Sequence, residues 1–218
     1  IPEVLQQVTT DMSRFREWGY ELIKHDFSTY DITGKWGRIM GGDITDDGWG
    51  FSTRDRTTAE IILELYRTIR KAAGDALIIG CNTVSHLSAG IFEICRTGDD
   101  TSGKEWAGTL KNGVNTLAFR SPQHNTFYAA DADCVGLVKA GLIPWEKNRQ
   151  WMDLLARSGT PLFISLNRKE IGDTEKNDIR NALALTAAPK PAPEPLDWMQ
   201  TELPRKWKLM GEIRTYNW

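Results

Sequence analysis

The sequence predicts an α/β fold in which a parallel sheet is covered by helices, either a doubly wound sheet or a (β/α)₈ barrel. Three observations carry this reading. Apolar runs of strand length alternate with segments of helical periodicity along most of the chain. The run "ALIIGC" (76–81) is nearly all apolar, as a strand buried on both faces requires. The polar residues of the strands gather at their C-terminal ends, the face on which βα folds assemble their sites.

Each element has a local reason. Residues 2–18 read as an amphipathic helix, and "YELIKHDF" (20–27) follows as a strand. A long loop rich in Gly and Asp runs from Ser28 to Arg56. "TTAEIILELYRTIRKAAG" carries apolar residues at helical spacing and ends at Gly74, a C-terminal cap. After "ALIIGC" come "GIFEICRTG" as strand, "GKEWAGTLKNGVNTLAFR" mostly as helix and "TFYAADADCVGL" as strand. "PWEKNRQWMDLLARSG" as helix, "TPLFISLN" as strand and "EKNDIRNALALTAA" as helix complete the alternation. The run "PKPAPEPL" is then a stiff spacer, so the sequence divides into an α/β part, 1–188, and a segment, 189–218, expected to open a β-domain.

Composition excludes several functions. The 218 residues are 40% hydrophobic and 26% charged with a formal net charge of −2, which describes a folded chain with a sizeable core. No Lys/Arg run marks a nucleic-acid surface, and no apolar stretch approaches the roughly 18 residues that span a bilayer. Cys81, Cys95 and Cys134 lack metal-ligand spacing and read as core or pocket wall. His25, His86 and His124 show no HExxH-like pattern, and no glycine-rich phosphate motif is present, so neither a metal nor a cofactor is expected. Trp106 and Trp151 read as packing residues, while Trp36 and Trp49, in the polar loop, are candidates for stacking on a sugar. The opening in mid-helix, without Met, suggests a piece of a longer chain.

The chemistry collects on the strand ends. These are Lys24 and Asp26 on the first, Cys81 and Asn82 on the second, Arg96 with Asp99 and Asp100 on the third, and Asp131 and Asp133 on the fourth. Lys24, two residues before Asp26, shares its strand face and would hold it ionised. Carboxylates from different strands, beside a lysine and an arginine, match glycoside hydrolysis, in which one carboxylate stays ionised and the other carries a proton.

These residues resemble a known family. "IKHDF" resembles the nucleophile motif of the melibiase clan, the α-galactosidases and α-N-acetylgalactosaminidases of glycoside hydrolase family 27 and their relatives in family 36. "RTGDD" (96–100) is similar to the clan's arginine followed four residues later by the acid/base aspartate, and "ADADCVGL" (130–137) to its N-D-x-D-M-L element. The resemblance implies a TIM barrel of which this chain covers roughly strands four to eight. It implies Asp26 as nucleophile and Asp100, or its neighbour Asp99, as acid/base. Lys24 and Arg96 would then bind sugar hydroxyls, Asn82, after Cys81, would sit at the specificity position, and Asp133 would contact the hydroxyl next to the anomeric carbon. Asn82, and Ala130 in place of the usual Asn, depart from the pattern and leave the sugar open.

A retaining α-galactosidase-like enzyme is therefore expected, with Asp100 the less solvated of the two carboxylates or near a like charge such as Asp99. Another α-glycosidase, of α-N-acetylgalactosaminidase or α-glucosidase type, and a non-catalytic carbohydrate-binding barrel are the alternatives. A carbohydrate substrate is the expected ligand, a companion fragment or self-association would complete the barrel, and secretion or a periplasmic location follows from the resemblance alone.

Overall fold

The structure, a computed structural model, describes residues 2–29, 50–137 and 142–218. The candidate stacking residues Trp36 and Trp49 lie outside them. The chain divides into two compact units, Ile1–Cys95 and Arg96–Trp218.

In the first unit, helix α1 (Pro2–Glu17) leads into strand β1 (Leu22–His25), and helix α2 (Thr58–Ala73) into strand β2 (Leu77–Gly80). A capping box starts α2: Thr57 N–H donates to Glu60 Oε2 (2.7 Å) and Glu60 N–H to Thr57 Oγ1 (3.2 Å). Gly74 closes it at φ 60°, as the sequence predicts. β1 pairs in parallel with β2, from Leu22 opposite Leu77 to His25 opposite Gly80. β2 pairs in parallel with β3 (Ile94–Arg96), with Gly80 opposite Cys95. The apolar stripe of α2, with Ile62, Leu65, Tyr66 and Ile69, packs into one core with Met12, Ile23, Ile78 and Phe92. This parallel arrangement is the α/β architecture that the alternation predicts.

In the second unit, a short helix α3 (Trp106–Gly108) runs through a π-helical segment (Thr109–Asn115) into α4 (Thr116–Arg120), where the sequence predicts one mostly regular helix. "TFYAADADCVGL" is not one strand. It forms β4 (Ala129–Asp131) and β5 (Cys134–Leu137), because Asp133 stands between them at φ 70° and cannot continue an extended ladder. Helix α5 (Trp145–Ser158), strand β6 (Phe163–Leu166) and helix α6 (Asp173–Thr186) follow, with β5 and β6 parallel from Cys134 opposite Phe163 to Leu137 opposite Leu166.

Strands β7 (Glu194–Pro195), β8 (Lys206–Leu209) and β9 (Glu212–Thr215) form an antiparallel sheet closed by a Met210–Gly211 turn with both φ angles positive. β8 alternates exposed lysines with buried Trp207 and Leu209, which join Trp151, Leu154 and Leu155 in the second unit's core. The segment 189–218 thus packs within the second unit. Trp151 is fully buried and Trp106 partly so, consistent with packing roles. Cys81 and Cys95 are buried and Cys134 half-buried, all as free thiols.

Candidate active site

The parallel register of β1 and β2 builds a cluster of candidate residues in the first unit. With His25 opposite Gly80, the two strand ends are level, and Cys81 N–H extends the ladder to His25 C=O (3.0 Å). Asp26 and Asn82 therefore emerge side by side, and Asn82 Nδ2 donates to Asp26 Oδ1 at 2.6 Å. Lys24 Nζ stands 3.6 Å from Asp26 Oδ2, as two residues on one strand face allow. Burial pushes the Asp26 carboxyl up. The donors Asn82 and Cys81, the Lys24 charge and the Phe27 N–H outweigh that and hold it below its ordinary value. The turn that does this is tight: Phe27 and Asn82 both adopt positive φ, at 59° and 51°.

Behind Asp26, His25 points into the core. It packs edge-on against Phe92 (4.7 Å between ring centroids), and its Nδ1 lies 2.9 Å from Ser28 Oγ. Burial lowers its pKa to about 4, against the opposing charge of Asp26, so it is neutral at neutral pH. Thr29 Oγ1 sits 2.6 Å from Tyr66 Oη, which also accepts Val84 N–H. The residues just after Asp26 are thereby tied to α2.

In the second unit, a separate cluster centres on Arg96, whose side chain is only 8% exposed. Its Nη2 meets Asp133 Oδ1 at 2.6 Å, its Nε donates to Asp131 Oδ2 at 3.3 Å, and its Nη1 donates to Asp100 Oδ1 at 3.2 Å. Asp131 is buried. Its burial pushes the carboxyl up, with the Arg96 charge pulling the other way. Asp131 Oδ1 also accepts the Asp133 N–H at 2.7 Å, the contact that bends the chain between β4 and β5. Asp133, expected to touch a substrate hydroxyl, has both oxygens engaged inside the protein, because Thr101 N–H donates to Oδ2 at 2.6 Å.

The turn presenting Asp100 is held along its length. Asp99 Oδ1 accepts the Asp100 N–H, leaving the Asp100 carboxylate to face Arg96. Asn112, in the π segment, donates to Asp100 C=O at 2.9 Å. Gly98 lies so close to Asn112 C=O that a Cβ would stand 2.2 Å from it, and Gly103 and Gly136 touch backbone to backbone. Asp100 is 77% exposed and Asp26 32%, so Asp100 is not the less solvated of the two, while the like charge of Asp99 does stand beside it. The reason is local: Asp100 sits on a surface turn, whereas Asp26 is enclosed by Asn82, Cys81 and Lys24.

Lys24, Asp26, Cys81 and Asn82 thus gather in the first unit, and Arg96, Asp100 and Asp133 in the second. Sequence reading missed Thr101 and Asn112, and did not see Asp131 as a direct partner of Arg96. The alternation of aspartates in "DADC" was the available signal for the last. Among the described residues no cluster of three or more His, Cys, Asp or Glu side chains is arranged to hold a metal.

No protein-family model and no curated protein matches the chain. Solved structures do. An α-galactosidase from Thermus thermophilus in complex with p-nitrophenyl α-D-galactopyranoside superposes with a TM-score of 0.63 at 16% identity, over 99% of this chain and 41% of the other. The chain has the fold of α-galactosidases. A family-27 β-L-arabinopyranosidase from Geobacillus stearothermophilus aligns with a TM-score of 0.62 at 14% identity, over 86% of this chain and 42% of its own. An α-galactosidase from Mortierella vinacea gives 0.54 at 15%, over 84% and 48%. The melibiase-clan resemblance of the sequence therefore extends to the fold. The chain spans between two fifths and one half of the length of these structures.

Proposed function

We propose that this chain carries strands four to eight of a (β/α)₈ barrel and the catalytic groups of a retaining α-glycosidase acting on terminal α-galactosides, with the segment after residue 188 leading into a β-domain. Asp26 attacks the anomeric carbon to form a glycosyl-enzyme while Asp100 protonates the departing oxygen; Asp100 then takes a proton from water as the ester is displaced. The observation that carries this reading is the Asp26 carboxylate, placed at a strand end and held ionised by Asn82, Cys81 and Lys24. A nucleophile needs that state at neutral pH. The use of the Asp99 carboxylate to fix the Asp100 N–H favours Asp100 over Asp99 as acid/base. Lys24, paired with Asp26 and 45% exposed, binds a sugar hydroxyl, and Asn82 takes the specificity position.

A second sugar is favoured by one observation, the likeness to the β-L-arabinopyranosidase. Relatives of α-N-acetylgalactosaminidase or α-glucosidase type stand behind it. Among the described residues β1 pairs only with β2 and β6 only with β5, so a companion segment or a second copy would cover these edges and complete the barrel.

The test is the stereochemistry of turnover. NMR of the first sugar released from an α-galactoside by the complete protein is expected to show the α-anomer. A β-anomer would remove Asp26 from the role of nucleophile. Turnover of p-nitrophenyl β-L-arabinopyranoside in preference to the galactoside would reassign the substrate.

A further inference from the structure

We propose that Thr101 is a positioning residue that sets the acid/base carboxylate of Asp100 by fixing Asp133 and, through it, Arg96; this rests on the reading of Asp100 given above. Thr101 is buried, with 1% of its surface exposed. Its backbone N–H reaches Asp133 Oδ2 at 2.6 Å, and its hydroxyl lies 3.0 Å from the same oxygen and 2.6 Å from Cys134 C=O. The hydroxyl oxygen also accepts Cys134 N–H at 3.2 Å. One side chain therefore ties the residue after Asp100 to the Asp133 carboxylate and to both backbone polar groups of Cys134. Asp133 in turn delivers Oδ1 to Arg96 Nη2 at 2.6 Å, and Arg96 Nη1 donates to Asp100 Oδ1.

The geometry explains why a hydroxyl is needed. A guanidinium is a rigid planar fork, so fixing Nη2 and Nε against Asp133 and Asp131 dictates where Nη1 points. Asp133 itself sits at φ 70°, a conformation an aspartate holds only when its surroundings determine it. The two interactions of the Thr101 side chain with Cys134 are part of those surroundings. Without them, Asp133 keeps only the backbone contacts from Thr101 N–H and to Asp131, its hold on Arg96 loosens, and the Arg96 contact with an otherwise exposed Asp100 weakens.

The experiment compares wild type, Thr101→Val, Thr101→Ser, Asp133→Asn and Asp100→Ala in the complete protein, on an α-galactosyl sugar and on p-nitrophenyl α-D-galactopyranoside. Thr101→Val is expected to lower kcat roughly 10- to 100-fold on the sugar leaving group, with KM changed less than about threefold. On the activated aryl substrate, which needs little protonation, the loss should be several-fold smaller. Thr101→Ser should restore both, and Asp133→Asn, which tests the same link if the valine variant fails to fold, should show the same dependence on leaving group. Equal losses on the two substrates, or none, in Thr101→Val and Asp133→Asn would overturn the proposal. A wild-type protein that turns over neither substrate, or an Asp100→Ala variant without leaving-group dependence, would instead remove the functional reading. Independently of turnover, solvent exchange of the Arg96 Nε–H by NMR should be slow in wild type and Thr101→Ser and at least about tenfold faster in Thr101→Val. Equal exchange rates would again overturn it.

Discussion

Asn82 and Asp26, 56 residues apart, meet at 2.6 Å because two parallel strands end level and the chain turns at positive φ immediately beyond each. The contact is a charge-assisted hydrogen bond that favours the ionised carboxylate against the upward push of burial. Asn82→Ala should therefore raise the Asp26 pKa, because it removes a donor that favours the ionised form. The acid limb of kcat/KM is expected to move to higher pH. An unmoved limb would mean that Asp26 is not the group titrating there.

His25 gives a stability prediction with a definite sign. Its folded pKa of about 4 lies below the ordinary 6.5, so the unfolded chain binds a proton that the folded chain refuses. Stability is then fully present above pH 6.5 and is lost as pH falls toward 4, by about 2–3 kcal/mol in total. Asp26, also depressed, contributes stability above its unfolded value of 3.8 that is lost as pH falls below it, a separate and more acid window. Urea denaturation at pH 7, 5.5 and 4.5 should show the first loss in wild type and little of it in His25→Phe, which cannot take up the proton.

How much of this was legible in the sequence depends on how local each cause is. The strand "LIIG" and the capped helix after Thr57 follow from neighbouring residues: an apolar run, a capping box and a closing glycine. Lys24 beside Asp26 was equally readable, because a two-residue spacing fixes a shared strand face. The break between β4 and β5 was not, since the local Asp131–Asp133 contact that makes it is held in place by Arg96 and Thr101, which are distant in sequence and become neighbours only in the fold. Thr101 and Asn112 carry no motif of their own, and what selects them is a carboxylate and a carbonyl brought to them by tertiary packing. Nor could spacing foresee the exposure of Asp100, which depends on how its turn is stapled at Gly98 and Gly103.

Arg96 neutralises two buried carboxylates, so its removal should be costly. Arg96→Ala leaves Asp131 and Asp133 desolvated without a counter-charge, and a loss of about 3–5 kcal/mol is expected. Arg96→Lys keeps the charge but has a single nitrogen where the arginine uses three. It should recover only part of that stability and little activity. Denaturant unfolding of both variants with the kinetics of the lysine variant provides the check, and an Arg96→Ala protein as stable as wild type would contradict the buried cluster.

Two glycines in the second unit should respond to the same substitution with opposite signs. At Gly136 an added Cβ would stand 2.4 Å from Gly103 Cα and 2.5 Å from its nitrogen, backbone atoms that cannot rotate aside. Relief requires β5 and the loop holding Asp100 and Thr101 to move apart, which costs at least about 2 kcal/mol by comparison with overpacked cores. Gly108, by contrast, ends α3 with helical backbone angles and open space around its Cβ position. Alanine there meets nothing and removes freedom from the unfolded chain, so a gain of about 0.5–1 kcal/mol is expected. Unfolding midpoints of the two variants measured side by side give the result. In Gly136→Ala the activity loss should exceed that of Gly108→Ala even at a temperature where both are folded, because the strain falls on the strand and loop that carry Thr101 and Asp100. Equal activity in the two folded variants would show that this loop tolerates displacement.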